Sequence, residues 1–294
     1  MQAVAQSDLN KNAVCFPKRG VVWLKIAITA VLLACLYSGV LAGLFSDWWH
    51  VPAWSQGLVI APLAAYLAWE RRSSVLSQPI IPSSKGVLLL GMACLLYLVG
   101  KLGAEEFLSR VSFIVLLISI IWTFWGIRRL RPLSFPLLLL TTSVPLPTLL
   151  YNYLTVPLQL FASVAATDLA QSLGVTVYRD GNVINLAHIS LGVEEACSGL
   201  NSLAALFVAG LLLGTLVCRR FLPRLLLILA TIPLAIATNV LRITGTALLA
   251  DYHEDLAVGF YHGFAGWIVF LFAFAVLYGA AKATHALMEP KDLK

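Results

Sequence analysis

One cysteine, one arginine and one histidine of this chain reach the same edge of its apolar segments. Cys197 stands in the run Val193-Glu194-Glu195-Ala196-Cys197-Ser198-Gly199-Leu200, where a polar segment enters an apolar helix. The other cysteines fall elsewhere: Cys15 in the N-terminal tail, Cys35 and Cys94 inside apolar spans, Cys218 beside Arg219 and Arg220. An outward-facing thiol without a disulfide partner is a liability in an oxidising compartment, so an idle Cys197 is hard to account for there. Arg242 and His262 come to the same edge, and the trio supplies a thiol nucleophile, an anion stabiliser and a base.

The depth of each residue follows from helix geometry. Cys197 lies at or just before the first turn of its helix, where unpaired N–H groups and the positive dipole end favour a thiolate. Arg242 lies about 20 residues beyond Phe221, roughly 30 Å at 1.5 Å per residue, which is close to the far boundary of a bilayer core. His262 opens the last span, in Tyr261-His262-Gly263-Phe264-Ala265-Gly266-Trp267. A thiolate can attack an amide carbonyl, histidine can take the thiol proton and return it to the leaving amine, and arginine can steady an oxyanion or orient a carboxylate. Each residue also has a plain structural reading: a small buried cysteine, a snorkelling arginine, a surface histidine. Their shared depth on separate helices favours the joint reading. Asn239 and Thr244 give the Arg242 helix a polar face, while Glu195, Ser198 and Asn239 are supporting candidates. No cofactor is expected, nor a metal, since no His-x-x-x-His or Cys-x-x-Cys spacing joins the outer histidines His50, His188 and His253.

The elements that must position these residues are membrane helices. Of 294 residues, 60% are hydrophobic and 12% charged, with a mean hydropathy of +0.88. A soluble domain carries roughly twice that charged fraction. The apolar residues fall in runs of about 20, the length that crosses a bilayer core. The expected fold is an all-α polytopic integral membrane protein with about eight spans, near 21–44, 54–70, 86–104, 107–127, 132–150, 198–217, 222–249 and 263–283. The net charge of +6 reflects topology and implies no nucleic-acid partner. Sixteen of the 20 basic residues fall in tails and loops that alternate to one side, leaving Lys101, Arg110, Arg179 and Arg242. That bias places both termini in the cytoplasm. No cleavable signal peptide is expected, because the first apolar run is too long and continues to Asp47-Trp48-Trp49.

The chain divides into a tail (1–20), one membrane domain (21–285) and a second tail (286–294), all loops being short except 151–196. In that outer loop Leu154 to Leu173 reads as a helix lying along the interface or packed on the bundle, ending at Gly174. Val175 to Leu186 reads as a small hairpin around an Asp180-Gly181 turn. Trp48, Trp49, Trp54, Tyr151 and Tyr153 read as interfacial anchors.

Three blocks in combination resemble the signature of a known family. They are Glu195-Ala196-Cys197-Ser198-Gly199-Leu200-Asn201-Ser202-Leu203, Asn239-Val240-Leu241-Arg242, and His262-Gly263-Phe264-Ala265-Gly266-Trp267. Together with Trp54-Ser55-Gln56-Gly57-Leu58-Val59-Ile60-Ala61-Pro62 and the eight-span layout they resemble the exosortases, whose archaeal relatives are the archaeosortases. Many members carry histidine where this chain has Gln56. The resemblance implies a membrane-embedded thiol protease or transpeptidase with Cys197 as nucleophile, Arg242 as transition-state stabiliser and His262 as general acid/base. It implies substrates of the PEP-CTERM type: membrane-inserted proteins ending in a short Pro-Glu-Pro-like motif, a transmembrane helix and a basic tail. It also implies a multi-pass protein of the bacterial inner membrane with its site facing the periplasm, often beside exopolysaccharide genes. Two other classes remain open: an enzyme of exopolysaccharide assembly, and a transporter using Arg242 for an anionic substrate. The almost purely apolar mid-span stretches disfavour transport.

Overall fold

The computed structural model describes residues 19–193, 199–253 and 260–288, with side chains beginning at residue 28 and omitting those of residues 30 and 260–263. Two compact units emerge, Met1–Leu44 and Phe45–Lys294. Helix α1 (Arg19–His50) begins in the first unit and ends in the second. The second continues with α2 (Gly57–Glu70), α3 (Arg72–Leu76), α4 (Ser84–Leu102), α5 (Glu106–Trp125), α6 (Ile127–Leu130) and α7 (Ser134–Thr141). Helix α8 (Thr148–Ser172) leads to strands β1 (Tyr178–Asp180), β2 (Val183–Asn185) and β3 (Ser190–Gly192), then α9 (Leu200–Val217), α10 (Phe221–Tyr252) and α11 (Phe260–Met288).

The protein is an all-α polytopic membrane protein with one small sheet. Among the described residues seven helical stretches are long and apolar enough to cross a membrane: Val31–His50, α4, α5, α8, α9, α10 and Phe264–Met288 of α11. Two expected spans are shorter. In place of 54–70 there is a 3-10 turn, Pro52–Trp54, and the 14 residues of α2, about 21 Å long. In place of 132–150 there are the 8 residues of α7, about 12 Å long. Proline explains the second break: Pro145 lies in the turn after α7 and Pro147 caps α8, and neither offers an N–H to carry the helix on. Helices α2 and α7 bury Ile60, Ala64, Leu67 and Leu139 together against Val208 of α9.

Helix α8 takes the packed placement. Its polar residues Thr155, Gln159, Ser163 and Thr167 recur at helical spacing and are all buried. Ser163 donates to the Gly181 carbonyl at 3.3 Å, and Thr167 donates to the Ser163 carbonyl at 2.7 Å. The stripe therefore faces protein rather than water. Helix α8 ends as expected, with Gly174 in the left-handed region at φ 89° after the last turn.

Helices α4 and α5 form an antiparallel pair on small residues. Gly86, Ala93 and Gly100 recur every seventh residue along the buried face of α4, and Gly86 lies against Thr123 and Gly100 against Ser109 of α5. Their starts are capped by Ser83, which accepts from the Lys85 N–H, and by Glu105, which accepts from the Phe107 N–H.

Two of the four basic residues outside the topological bias acquire a local explanation. Arg110 is 5% exposed and pairs with Asp47 at 2.8 Å and with Glu106 one turn before it. Arg179 donates to the Gly181 carbonyl at the hairpin turn. Because Asp47 and Glu106 are 32% and 72% exposed, they regain water once the guanidinium is gone. Arg110→Leu is therefore expected to lower stability by about 1–3 kcal/mol, below the cost of opening a fully buried pair. Thermal unfolding in detergent, followed by circular dichroism, checks this against an exposed control such as Lys101→Leu.

Candidate active site

Gly199, two residues after Cys197 in the chain, is where α9 begins. It occupies the N-cap position in the left-handed region, at φ 83° and ψ −8°, where an N-cap is ordinarily extended. A Cβ there would stand 2.9 Å from both Cγ and Nδ2 of Asn239, so the backbone rests directly on that amide. Only glycine meets both conditions. Earlier in the chain, Val193 is 2% exposed, and its N–H donates to the Asn182 carbonyl at 2.8 Å. The Asn182 side chain returns a bond to the Val193 carbonyl at 3.1 Å. The chain is thus pinned immediately before and immediately after residues 194–198.

Asn239 and Arg242 lie on one face of α10, three residues apart. Asn239 is 4% exposed and Arg242 half-buried. The Arg242 guanidinium lies against Gly266 of α11, with Nη1 3.8 Å and Cδ 3.9 Å from where a Cβ would stand. Gly266 follows His262 by four residues, one turn along the same helix face. One face of α10 therefore touches both the start of α9 and the first turns of α11. Its rotation is fixed from behind by Ile243, which packs with Ala166 of α8 and the fully buried Ile184 of β2. The polar residues of α10 answer to nearby carbonyls: Thr246 donates to Arg242 at 3.0 Å, and Thr244 reaches the Ala166 carbonyl at 3.5 Å.

Beside this face lies a hollow of about 350 Å³ whose walls include Ser55, Gln56, Asn201, Ser202, Gly266 and Trp267. One wall is polar, from the start of α2 and the first turn of α9. The other is apolar, from Trp267 and Phe270 of α11. Tyr151 stands behind Asn201: its ring meets Trp54 edge-on at 5.2 Å, and its hydroxyl lies 3.5 Å from Asn201 Oδ1. Tyr151 is 7% exposed and so is an internal support rather than an interfacial anchor. Trp48 likewise turns inward and donates to the Ser143 carbonyl at 2.8 Å. Trp49 and Tyr153, 66% and 77% exposed, have the exposure of anchors.

Of the residues singled out in the sequence, Arg242 and Asn239 are placed as described. His262 is the third residue of α11, its side chain outside the described residues. Cys197, Glu195 and Ser198 also lie outside them. Sequence reasoning took Tyr151 for an interfacial anchor and gave Asn201 and Ser202 no role of their own. Its available signal was a pair of polar residues in the first turn of an otherwise apolar helix.

A family model described as transmembrane exosortase matches residues 48–279. The chain belongs to that family. The match runs from the end of α1 to the later turns of α11 and contains every residue of the site described above. No curated protein and no solved structure matches the chain. As an exosortase-family member, the protein is a multi-pass membrane protein among sorting-related transmembrane enzymes.

Gly199→Ala tests the seating of the Cys197 segment. The added methyl meets Asn239 and forces a left-handed backbone on a residue with a Cβ, a strain of about 1–3 kcal/mol. If Cys197, two residues before Gly199, is the nucleophile, turnover of a sorting substrate is expected to fall about tenfold or more, since small displacements of a reacting group are costly. Asn239→Gly, made together with Gly199→Ala, relieves the contact and should return part of the loss.

Proposed function

We propose that the protein is a cysteine transpeptidase or protease that removes the C-terminal sorting signal of exported membrane proteins, on the periplasmic side of a bacterial inner membrane. The observation that carries this reading is the single face of α10 on which Asn239 meets Gly199, two residues from Cys197, while Arg242 meets Gly266, one turn from His262. Both termini and the arginine-rich loops then lie in the cytoplasm.

The Cys197 thiolate attacks the carbonyl carbon of the scissile peptide, and the oxyanion that forms is stabilised by the Arg242 guanidinium. His262 gives its proton to the leaving nitrogen, and the C–N bond breaks. The C-terminal helix and tail leave with a new amino terminus, while the retained part stays as a thioester on Cys197. An acceptor, either water or a hydroxyl or amine, then attacks the thioester. Its proton passes to His262, the C–S bond breaks and the thiolate returns. The hollow beside Gln56, Asn201 and Ser202 receives the chain flanking the scissile bond. Substrates are membrane-inserted proteins carrying a short motif, a transmembrane helix and a basic tail, which the bilayer itself delivers at the right depth.

The test is to co-express a tagged substrate of this type with the protein, quench in acid and look for the covalent adduct by mass. An adduct of enzyme plus substrate minus tail, released by hydroxylamine, is expected. Loss of the tail with no thioester at Cys197 under any quench would overturn the mechanism, and no tail loss with any motif would overturn the substrate class.

A further inference from the structure

A second hollow lies at the opposite end of α2, about 21 Å of helix away from the one at Gln56. It encloses about 600 Å³ and is lined by Arg71, Ser74, Gln78, Arg128, Arg131 and Pro132. We propose that it binds the phosphate of an anionic glycerophospholipid headgroup. The inference does not depend on the catalytic reading.

Three features carry it. First, the hollow is built: Arg71 donates to the Pro132 carbonyl at 3.1 Å and covers the Phe135 ring, while Arg129 donates to the carbonyls of Gln78 and Leu76. These bonds tie the 71–78 loop to the 126–135 loop and fix where Arg128 and Arg131 project. Second, positive charge is in excess. Glu70 is the one acidic residue from Val51 through Ala104, and the sequence holds none from Gly126 through Leu150. Among the described residues no carboxylate pairs with Arg71, Arg128 or Arg131. Several guanidiniums around one concavity match a phosphate, whose oxygens accept from their planar forks. Third, the same loop carries Leu76, Ile80 and Ile81, which are 67%, 54% and 49% exposed. A soluble phosphate uses only the arginines. A phospholipid uses both, with phosphate in the hollow and acyl chains along the apolar surface, as basic pockets between membrane helices do elsewhere.

The full-length protein in neutral detergent is titrated with phosphatidylglycerol, with phosphatidylcholine and with soluble glycerol 3-phosphate, and bound lipid is read by native mass spectrometry. Wild type is expected to retain phosphatidylglycerol in preference to phosphatidylcholine, without competition from glycerol 3-phosphate. Arg128→Gln/Arg131→Gln should weaken retention about tenfold or more, whereas Arg72→Gln/Lys282→Gln, an equal charge change outside the hollow, should change it by less than about twofold. Equal losses in the two double variants would reduce the effect to diffuse charge and overturn the proposal. So would equal retention of phosphatidylcholine, or displacement by glycerol 3-phosphate, which would mark a soluble phosphate site. If the first double variant does not fold, Arg131→Lys is read in the same assay. It keeps the charge and loses the fork, and unchanged retention there would count against the site.

Discussion

Cys197→Ala is expected to lower the rate of sorting-signal removal by about 10⁴-fold or more, to the background of the assay, because a covalent mechanism has no second nucleophile to fall back on. Cys197→Ser should fare little better. A serine hydroxyl is far less ionised than a thiol, and a site arranged to hold a thiolate does not supply the stronger base that an alkoxide needs. Each change removes or exchanges a single side-chain heavy atom, so helical content and thermal unfolding in detergent should match wild type. Following tail loss from a tagged substrate over time gives the rate. A Cys197→Ala rate within about tenfold of wild type would remove the thioester mechanism and return attention to exopolysaccharide assembly.

Arg242→Ala should cost about 10²–10³-fold in turnover, the loss typical when one preorganised donor to an oxyanion is removed. Arg242→Lys is the more telling variant. It keeps the charge but replaces a rigid planar fork with a single ammonium on a flexible stem. If the guanidinium works by geometry from its seat against Gly266, lysine should recover less than about a tenth of wild-type turnover. A residue that only anchors its helix at the membrane interface would be replaced by lysine at little cost, since both side chains snorkel. The division between turnover and substrate binding separates the roles further. Loss confined to turnover marks a transition-state contact, and loss confined to binding marks a ground-state contact with a substrate carboxylate.

Much of the architecture was legible in the sequence because a bilayer leaves few choices. Apolar runs of about 20 residues must form helices, since nothing else satisfies the backbone there. Gly174 at the end of α8 and the turn between β1 and β2 were readable because the left-handed backbone at Gly174 and Gly181 is a local property. Rise per residue put Arg242 toward the far end of its helix, where it lies against Gly266 of α11. The polar stripe Thr155, Gln159, Ser163 and Thr167 was different. The same spacing suits a helix facing water and one facing polar protein groups, and only the hairpin packed on α8 decides between them. The hydrophobic run at 132–150 counted as a span because hydropathy averages over Pro145 and Pro147, whereas the helix ends before the first and restarts after the second. Tyr151 looked like an anchor until Trp54 and Asn201, far away in the chain, enclosed it.

By itself the sequence determined that this is a multi-pass membrane protein and offered Cys197, Arg242 and His262 as its catalytic candidates, because length, polarity and rise per residue are properties of one segment at a time. Only the tertiary structure decided that one face of α10 meets Gly199 on one side and Gly266 on the other, and that the arginines of two distant loops surround one hollow. Those outcomes depend on helix rotation and on partners far apart in the chain, and packing fixes them where no local pattern can.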